Sequence, residues 1–406
     1  MILFYYPKKD STIYSQSSIR ELNFGKSEIL ELRNDWSMGK GSDISRILLQ
    51  FDIPFSLQNY TNFKNLRFYL KLNITQSEEL TDDTNICIHP LSDEWQSGTG
   101  IGFDADPEYH AVNWLYKTDS DLWNTEGQGG GSYYTHIKRC EEDKIPLVSI
   151  YKFENKTSDV EVDVTDIVKC WILNDIKNNG FLVKFESEGR SERSQSIKFY
   201  SSNTNTIYSP MLKACYVDYV SGGSTNENIG SGSLSGSLSS YEFNIPTSPF
   251  SFDSYEEDID EKIVIGSCEQ YVEEPSIIKK PEPTISGDIV AKIKTIRKKY
   301  FNNEQIKFNV SVRNKNPIKT FSNKARYSGD SITDCDMFYS VRDAETHEII
   351  IDYTDFSRIS NSKDGHFFIL DLSGLHIGRY YKIMLMIKSE NGTEVFDDTR
   401  VFEIGS

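Results

Sequence analysis

The sequence has 406 residues and a mass of 46.6 kDa, too long for one ordinary domain, and its length predicts two or three. Aromatic residues reach 13% although hydrophobic residues are only 37%, which excludes a wholly disordered chain because such chains are poor in aromatics. The formal net charge of −17 argues against nucleic acid as a partner, since wrapping a phosphate backbone requires a basic surface.

The start of the chain carries no recognisable targeting signal. Five apolar residues, 2–6, precede Pro7, whereas a secretory h-region needs roughly 7–15. No stretch approaches the ~20 apolar residues of a membrane span. The six cysteines and six histidines are scattered singly, without the spacing of metal ligands. We expect reduced thiols, no signal peptide, no membrane span, and no metal or cofactor.

Residues 1–220 alternate between apolar and polar side chains in many short runs. From Leu66 to Ile74 every second residue is apolar, and the same alternation recurs at 47–53, 160–164 and 181–185. One short helix is predicted after Val164, with Thr165 or Asp166 as its cap. Many short strands with one helix predict an antiparallel jelly roll or β-sandwich.

Residues 221–284 differ from both flanks and are expected to connect two domains. Residues 221–240 have the Gly/Ser-rich composition of a flexible linker, and an acidic run follows at 256–261. Three lysines against twelve acidic residues give the segment a net charge of −9. We expect an extended docking strap whose partner presents a basic or amide-rich groove. Its candidate aromatic anchors are Tyr241, Phe243, Phe250, Phe252 and Tyr255.

Residues 285–406 return to strand-like alternation. Ile306, Phe308 and Val310 face away from Lys307 and Asn309, and Asn391-Gly392 is a strong signal for a two-residue hairpin loop. About seven strands without a helix predict an immunoglobulin-like β-sandwich.

No catalytic motif is present in the sequence. A P-loop, a GxGxxG turn, HExxH and GxSxG are all missing, and the glycine-rich stretch 127–132 lacks the lysine that a phosphate-binding loop requires. We therefore expect a protein that is not an enzyme.

Three tryptophans lie in polar stretches, namely Trp95, Trp114 and Trp123. If their rings are exposed, they form a candidate platform for stacking on sugars. The alternative is that the rings cover an end of the sandwich or lie at a protein interface, where tryptophan is also enriched. The first reading makes carbohydrate a possible ligand, and the second does not.

Residues 1–220 contain an ordered set of short motifs. They are DSTIY at 10–14, NFG at 23–25, SRILLQFD at 45–52, LRFYL at 66–70, DEW at 93–95, VNW at 112–114, DVTDIVKCW at 163–171, NGFLV at 179–183 and FYSSN at 199–203. Their order resembles the DNRLRE-type jelly-roll domain, which is related to carbohydrate-binding modules. The resemblance covers about half the chain and supplies no catalytic residue.

Two further stretches, VNWLYKTD at 112–119 and LWNTEG at 122–127, look more like the versions of this domain in tailed-bacteriophage virion proteins. Such proteins are made in the host cytoplasm without a leader. The resemblance thus implies a virion structural protein whose partners are other virion proteins, at the head–tail neck, the tail or the head surface. A long insertion at 97–157 departs from the minimal domain.

Three functions compete at this point. The leading hypothesis is the non-enzymatic virion protein with two interaction-type sandwiches and a docking strap. The second is a glycan-binding adhesin that uses Trp95, Trp114 and Trp123. The third is a polysaccharide-degrading enzyme whose acids lie in the insertion at 97–157, which requires two carboxylates in a sugar-sized cleft.

Overall fold

The computed structural model describes the chain except for residues 38–40, 54–65, 79, 81–83, 103–110, 119, 126–128, 139–143, 154–158, 189–193, 220–288, 316–335, 363–364, 390–391 and 406. The regular secondary structure of the described part is nearly all β-strand, which confirms the predicted all-β class. No helix in it is long and apolar enough to cross a membrane. The domain boundaries predicted at 220/221 and 284/285 lie outside the described residues and stay predictions.

The N-terminal sandwich consists of fourteen described strands and one helix. The strands are β1 Ile2–Tyr5, β2 Pro7–Tyr14, β3 Ile29–Ser37, β4 Gly41–Phe51, β5 Leu66–Leu72, β6 Ile74–Glu78, β7 Asn85–Pro90, β8 His136–Lys138, β9 Lys144–Pro146, β10 Ser149–Lys152, β11 Val160–Asp163, β12 Phe181–Phe185, β13 Gln195–Tyr200 and β14 Met211–Tyr216. The helix, α1, spans Thr165–Ile172.

Two sheets enclose the core of this sandwich. The four-stranded sheet has the order β1-β14-β5-β11, and the eight-stranded sheet has the order β10-β7-β12-β4-β3-β13-β6, with β2 paired to β4. The predicted alternation of β5 is confirmed, because its even-numbered residues are buried and its odd-numbered residues are not. Those buried residues pack against inward side chains of the eight-stranded sheet such as Phe181 and Phe185.

Helix α1 lies where the sequence predicts it, but the predicted cap is wrong. Val164 occupies the N-cap position and makes no side-chain cap hydrogen bond. The Thr165 hydroxyl is used elsewhere, because it accepts the Phe68 backbone N–H of β5 at 2.9 Å. The Thr165 N–H instead donates to the Asp163 carboxylate at 2.8 Å. The hydroxyl therefore ties the helix to the sheet instead of capping it.

The C-terminal sandwich contains nine described strands, two more than predicted, in a four-stranded and a five-stranded sheet. The first sheet has the order β15-β17-β21-β20 and the second β16-β23-β22-β18-β19, with β16 parallel to β23. The strands are β15 Ile289–Ile293, β16 Lys299–Phe301, β17 Gln305–Asn314, β18 Asp336–Asp343, β19 Ile349–Ile351, β20 Ser360–Ser362, β21 Gly365–Asp371, β22 Tyr380–Ser389 and β23 Gly392–Gly405. A hairpin joins β22 to β23 as predicted, but Gly392 is not part of its loop, because it pairs with Ser389 as the first residue of β23.

Strands β2, β4 and β12 of the eight-stranded sheet are covered on their outer face by a layer from the 91–133 region, here called the tryptophan layer. It contributes Leu91, Trp95, Val112, Trp114, Trp123 and Tyr133, which pack on the sheet residues Ile13, Leu48 and Leu182. A strand covered on both faces has no exposed side. All five residues of β12 are buried, Lys184 included, so the predicted alternation at 181–185 does not separate a buried from an exposed face.

Of the two readings of the tryptophans, the exposed platform is therefore wrong, and rings that cover the sandwich are what the structure has. Trp95 is 1% exposed, Trp114 8% and Trp123 2%. The indole N–H of Trp95 donates to the Asn179 carbonyl at 2.9 Å, and that of Trp123 donates to the Asn113 carbonyl at 3.0 Å. The rings are buried because they cover apolar residues of the sheet, so they form no platform for sugars.

A buried ionic cluster fixes the tryptophan layer to the sheet. Glu188 accepts hydrogen bonds from the Arg46 guanidinium at 2.7 Å and lies 3.3 Å from the Lys184 ammonium, and all three side chains are at most 8% exposed. Arg46 also donates to the Gly130 carbonyl at 2.8 Å, and Lys184 donates to the Tyr133 hydroxyl at 3.1 Å. Arg46 thus binds the backbone of the layer, and Lys184 binds one of its side chains.

The layer passes close to the sheet at Gly131, which predicts a sensitive position. An added Cβ would lie 2.7 Å from Leu182 Cδ1, and φ is +85°. Gly378 has a similar φ of +80° but no atom within 4 Å, so Gly378→Ala is a matched control for backbone strain. We expect Gly131→Ala to lower the free energy of unfolding by about 1–3 kcal/mol more than the control in denaturant titrations. Equal losses for the two variants would contradict the close packing.

Candidate functional site: the junction of the two sandwiches

The two sandwiches meet through one continuous apolar cluster, here called the junction. Strand β1 directs Leu3 and Tyr5 into the N-terminal core, whereas Ile2 and Phe4 point outward. The outward pair packs in one cluster with residues of the C-terminal sandwich such as Leu375. The junction thus lies between the outer face of the four-stranded sheet and the C-terminal sandwich.

A glycine allows the closest approach at the junction. An added Cβ at Gly374 would lie 2.3 Å from Phe4 Cβ and 2.7 Å from Phe4 Cδ2, distances that real side chains do not reach. Phe4 itself is 5% exposed, so its side chain is buried at this contact.

The N-terminal amine is a polar contact at the same place. The Met1 ammonium donates to the Tyr216 carbonyl at 2.7 Å, the Asp218 carboxylate at 2.8 Å and the Phe356 carbonyl at 2.9 Å. Tyr216 is the last residue of β14 and Asp218 follows it, whereas Phe356 belongs to the C-terminal sandwich. The three N–H groups are thus all satisfied although the residue is buried.

A tyrosine and a histidine form a second polar contact across the junction. The Tyr6 hydroxyl donates to the Gly374 carbonyl at 2.9 Å and lies 3.2 Å from His376 Nε2. Burial lowers the pKa of His376 from its ordinary 6.5, a backbone hydrogen bond with Ile207 opposes this, and Arg379 adds to it. Neutral imidazole is therefore the form that the docked state favours. This contribution to stability is present above pH 6.5 and is lost as the pH falls through the lowered value.

A cleft of about 200 Å³ adjoins these contacts. Its N-terminal wall includes Phe4, Lys71 and Lys213, and its C-terminal wall includes Glu348 and His376. A void of this size between two domains holds a few water molecules or a small ligand.

The charged groups of the cleft are arranged in opposite-sign pairs. Lys71 lies 4.0 Å from Glu348 across the junction, and Lys213 forms an ion pair with Glu161 on the outer face of the four-stranded sheet. Burial raises the pKa of Glu348, and Asp159 and Asp343 raise it further, whereas Lys71 lowers it. One Glu348 oxygen, Oε2, is buried without a hydrogen-bond partner.

Asp343 is the most strongly ionised acid in this region. Burial acts to raise its pKa, but hydrogen bonds from Arg379 and from the Thr346 and Glu345 backbone N–H groups lower it to about 2. The Arg379 Nε–Asp343 Oδ2 distance is 2.8 Å. This pair orders the turn that carries Glu348, so its role is to shape the wall of the cleft.

The arrangement joins the two sandwiches through apolar packing and paired charges. Each charged side chain named above faces an opposite charge. In the described part of the chain, no group of three or more His, Cys, Asp or Glu side chains is placed to hold a metal ion. The chemistry of the junction is that of an interface.

The residues of the junction were not found by sequence reasoning. One signal was present, because residues 2–6 are apolar without alternation, which is typical of a strand buried on both faces. The sequence around Gly374 and His376, on the other side of the junction, gave no such signal. The predicted anchors Tyr241, Phe243, Phe250, Phe252 and Tyr255 lie outside the described residues.

Comparisons with known proteins give no family. No protein-family model and no curated protein matches the sequence. Among solved structures, a β-glucuronidase from Parabacteroides merdae with glycerol in its active site is 10% identical, with a TM-score of 0.16. The match covers 95% of this chain and 35% of the glucuronidase, and a similarity this weak carries no argument about fold or activity.

The contact between Phe4 and Gly374 predicts a compensating pair of substitutions. Gly374→Ala should destabilise the protein by about 1–3 kcal/mol through overpacking. Phe4→Ala should destabilise it by about 3–5 kcal/mol through a cavity. In the double variant the new methyl group occupies part of the space vacated by the ring. The combined loss, measured by denaturant unfolding, should therefore be at least 1 kcal/mol smaller than the sum. Strict additivity would show that the two residues do not meet.

Proposed function

We propose that this protein is a non-enzymatic structural protein of a tailed-bacteriophage particle. Its role is to join other virion proteins at the head–tail neck, on the tail or on the head surface. The motif resemblance of residues 1–220 supports the phage setting. The geometry of the junction supports the role in assembly. Because the junction already holds the two sandwiches together, the segment between them is not needed for that purpose and can serve a partner.

The proposal rests on the positions of the last described residues before this segment and the first described residues after it. Before it, the Tyr219 ring stacks under Arg358, whose guanidinium carbon lies 4.1 Å from the ring centroid. Arg358 leads into β20, which is one edge of the four-stranded C-terminal sheet. After it, Ile289 opens β15, the opposite edge of the same sheet.

The segment is much longer than this gap requires. The two edges are three strand spacings apart, which is about 15 Å. About five extended residues span that distance. The sequence supplies 69, from 220 to 288. The junction already fixes one sandwich to the other, so the excess length is not needed to hold the domains together.

The composition of the segment supports a partner-binding role. Residues 241–255 place five aromatic side chains among prolines, and the acidic run 256–261 follows. Aromatic anchors beside charged residues are typical of protein interfaces. We therefore retain Tyr241, Phe243, Phe250, Phe252 and Tyr255 as the proposed anchors of a docking strap, with a basic or amide-rich groove as its partner surface.

The glycan-binding alternative loses its proposed site. It relied on exposed rings at Trp95, Trp114 and Trp123. All three rings are buried, because the tryptophan layer packs against the sheet. No other observation on the described residues favours an adhesin.

Particle incorporation tests the proposal. The chain is produced in the phage-infected host in its natural form and as a strap variant in which the five anchors are changed to Ser. A matched control changes five exposed apolar residues of the N-terminal sandwich to Ser, namely Ile101, Leu122, Ile145, Ile150 and Leu173. Quantitative mass spectrometry of purified particles then measures the copy number.

We expect the natural chain and the control in particles at the same fixed stoichiometry. The strap variant should unfold at the same temperature as the natural chain but fall at least tenfold in particles, because only its partner contacts are removed. Absence of the natural chain from particles would overturn the virion assignment. Normal incorporation of the strap variant would overturn the strap.

A further inference from the structure

The C-terminal sandwich carries a concentrated positive surface although the whole chain is acidic. Five bases fall within eight residues, without an acid between them, and all five are exposed. They run from β15 through the connecting turn into β16, along one edge of the sandwich. These residues, here called the basic strip, are Lys292, Lys294, Arg297, Lys298 and Lys299.

Among the residues that the structure describes, few acids lie beside the strip, and those that do are already engaged. Of its five members, Lys299 has the one ion pair found within the described residues, to Glu403 at 3.5 Å. Asp398, which acts electrostatically with Lys292, is itself bound by the Arg400 guanidinium at 2.7 Å. On the neighbouring strand β17, Lys307 and Arg313 are exposed and add further positive charge.

The surroundings of the strip are apolar on one side. Lys299 and Tyr380 both pair with Glu403, so they flank it on the outer face of the five-stranded sheet. Tyr380 is 43% exposed, Val401 44% and Phe301 51%. Exposed aromatic and aliphatic side chains beside bare cations make a surface with two chemistries, which complements a segment that alternates acidic and apolar residues.

From this placement we propose that the basic strip and its apolar flank are a docking surface for an acidic peptide segment of a partner protein. The charge distribution favours a peptide over nucleic acid. Residues 289–406 contain 18 Lys and Arg against 16 Asp and Glu, so the positive charge is local. The remainder of the chain is strongly negative and repels a long polyanion, whereas a short peptide engages only the strip.

This surface is separate from the docking strap, so either proposal can fail alone. The strip lies wholly within described strands and one turn, and its substitution leaves residues 241–261 unchanged. The strap would bind a basic groove on a partner, whereas the strip would bind a partner's acidic segment.

Fluorescence polarisation with the full-length chain tests the proposal. The probe is a fluorescein-labelled synthetic peptide of about a dozen residues that alternates Glu with Phe or Leu. A single-stranded oligonucleotide of equal charge is the comparison probe. The strip variant is Lys294→Glu with Lys298→Glu. The matched control, Lys26→Glu with Lys152→Glu, makes the same change in net charge on exposed lysines of the N-terminal sandwich.

We expect the natural chain to bind the peptide more tightly than the oligonucleotide at about 50 mM salt, and to bind more weakly as salt rises. The strip variant should weaken peptide binding at least about tenfold, and the control less than about twofold, because only the strip variant removes local attraction. No peptide binding, equal losses in the two variants, or tighter binding of the oligonucleotide would overturn the proposal. Unchanged unfolding temperatures confirm that both variants are folded.

Discussion

The structure depends on the burial of β1 on both of its faces. Leu3 and Tyr5 fill the N-terminal core, whereas Ile2 and Phe4 complete a core that otherwise belongs to the C-terminal sandwich. A side chain such as Phe4 contributes about 1.5–3 kcal/mol when it is removed from water, so leaving that face exposed is unfavourable. The strand therefore requires the second sandwich to be docked, and Gly374 provides the space for it.

A consequence is that part of each face of the N-terminal sandwich is covered by the chain itself. The tryptophan layer lies on β2, β4 and β12 of the eight-stranded sheet, and the C-terminal sandwich lies on the four-stranded sheet at β1 and β14. The outward residues Glu161 and Asp163 of β11 stay exposed. The basic strip lies at a rim, on the edge strands β15 and β16 of the C-terminal sandwich.

Local patterns in the sequence predicted the strands well and the contacts between layers poorly. The alternation in β5 and the Asn-Gly signal after β22 are local, because neighbouring residues determine them. Trp95, Trp114 and Trp123 were open to two readings because a polar sequence context does not reveal which surface a loop covers. Thr165 is a residue type that favours helix caps, but its hydroxyl accepts a tertiary hydrogen bond from Phe68 instead.

The junction could not be predicted from the sequence for a related reason. Phe4 and Gly374 are 370 positions apart, and a lone glycine in a polar turn carries no information about its distant neighbour. The unpatterned apolar run at 2–6 was a sign of double burial, yet it pointed to no particular partner. Charge was easier to interpret locally, because the strap and the basic strip are each visible as runs in the sequence.

Cutting the chain between the sandwiches tests most directly whether the junction alone holds them. A protease site inserted between Gly230 and Ser231 would be cleaved in the folded protein, and the products analysed by size-exclusion chromatography with light scattering. Fragments 1–230 and 231–406 should elute together as a one-to-one complex at micromolar concentration, and Phe4→Asp should separate them. Separate elution of the two fragments from the unsubstituted chain would contradict the shared core.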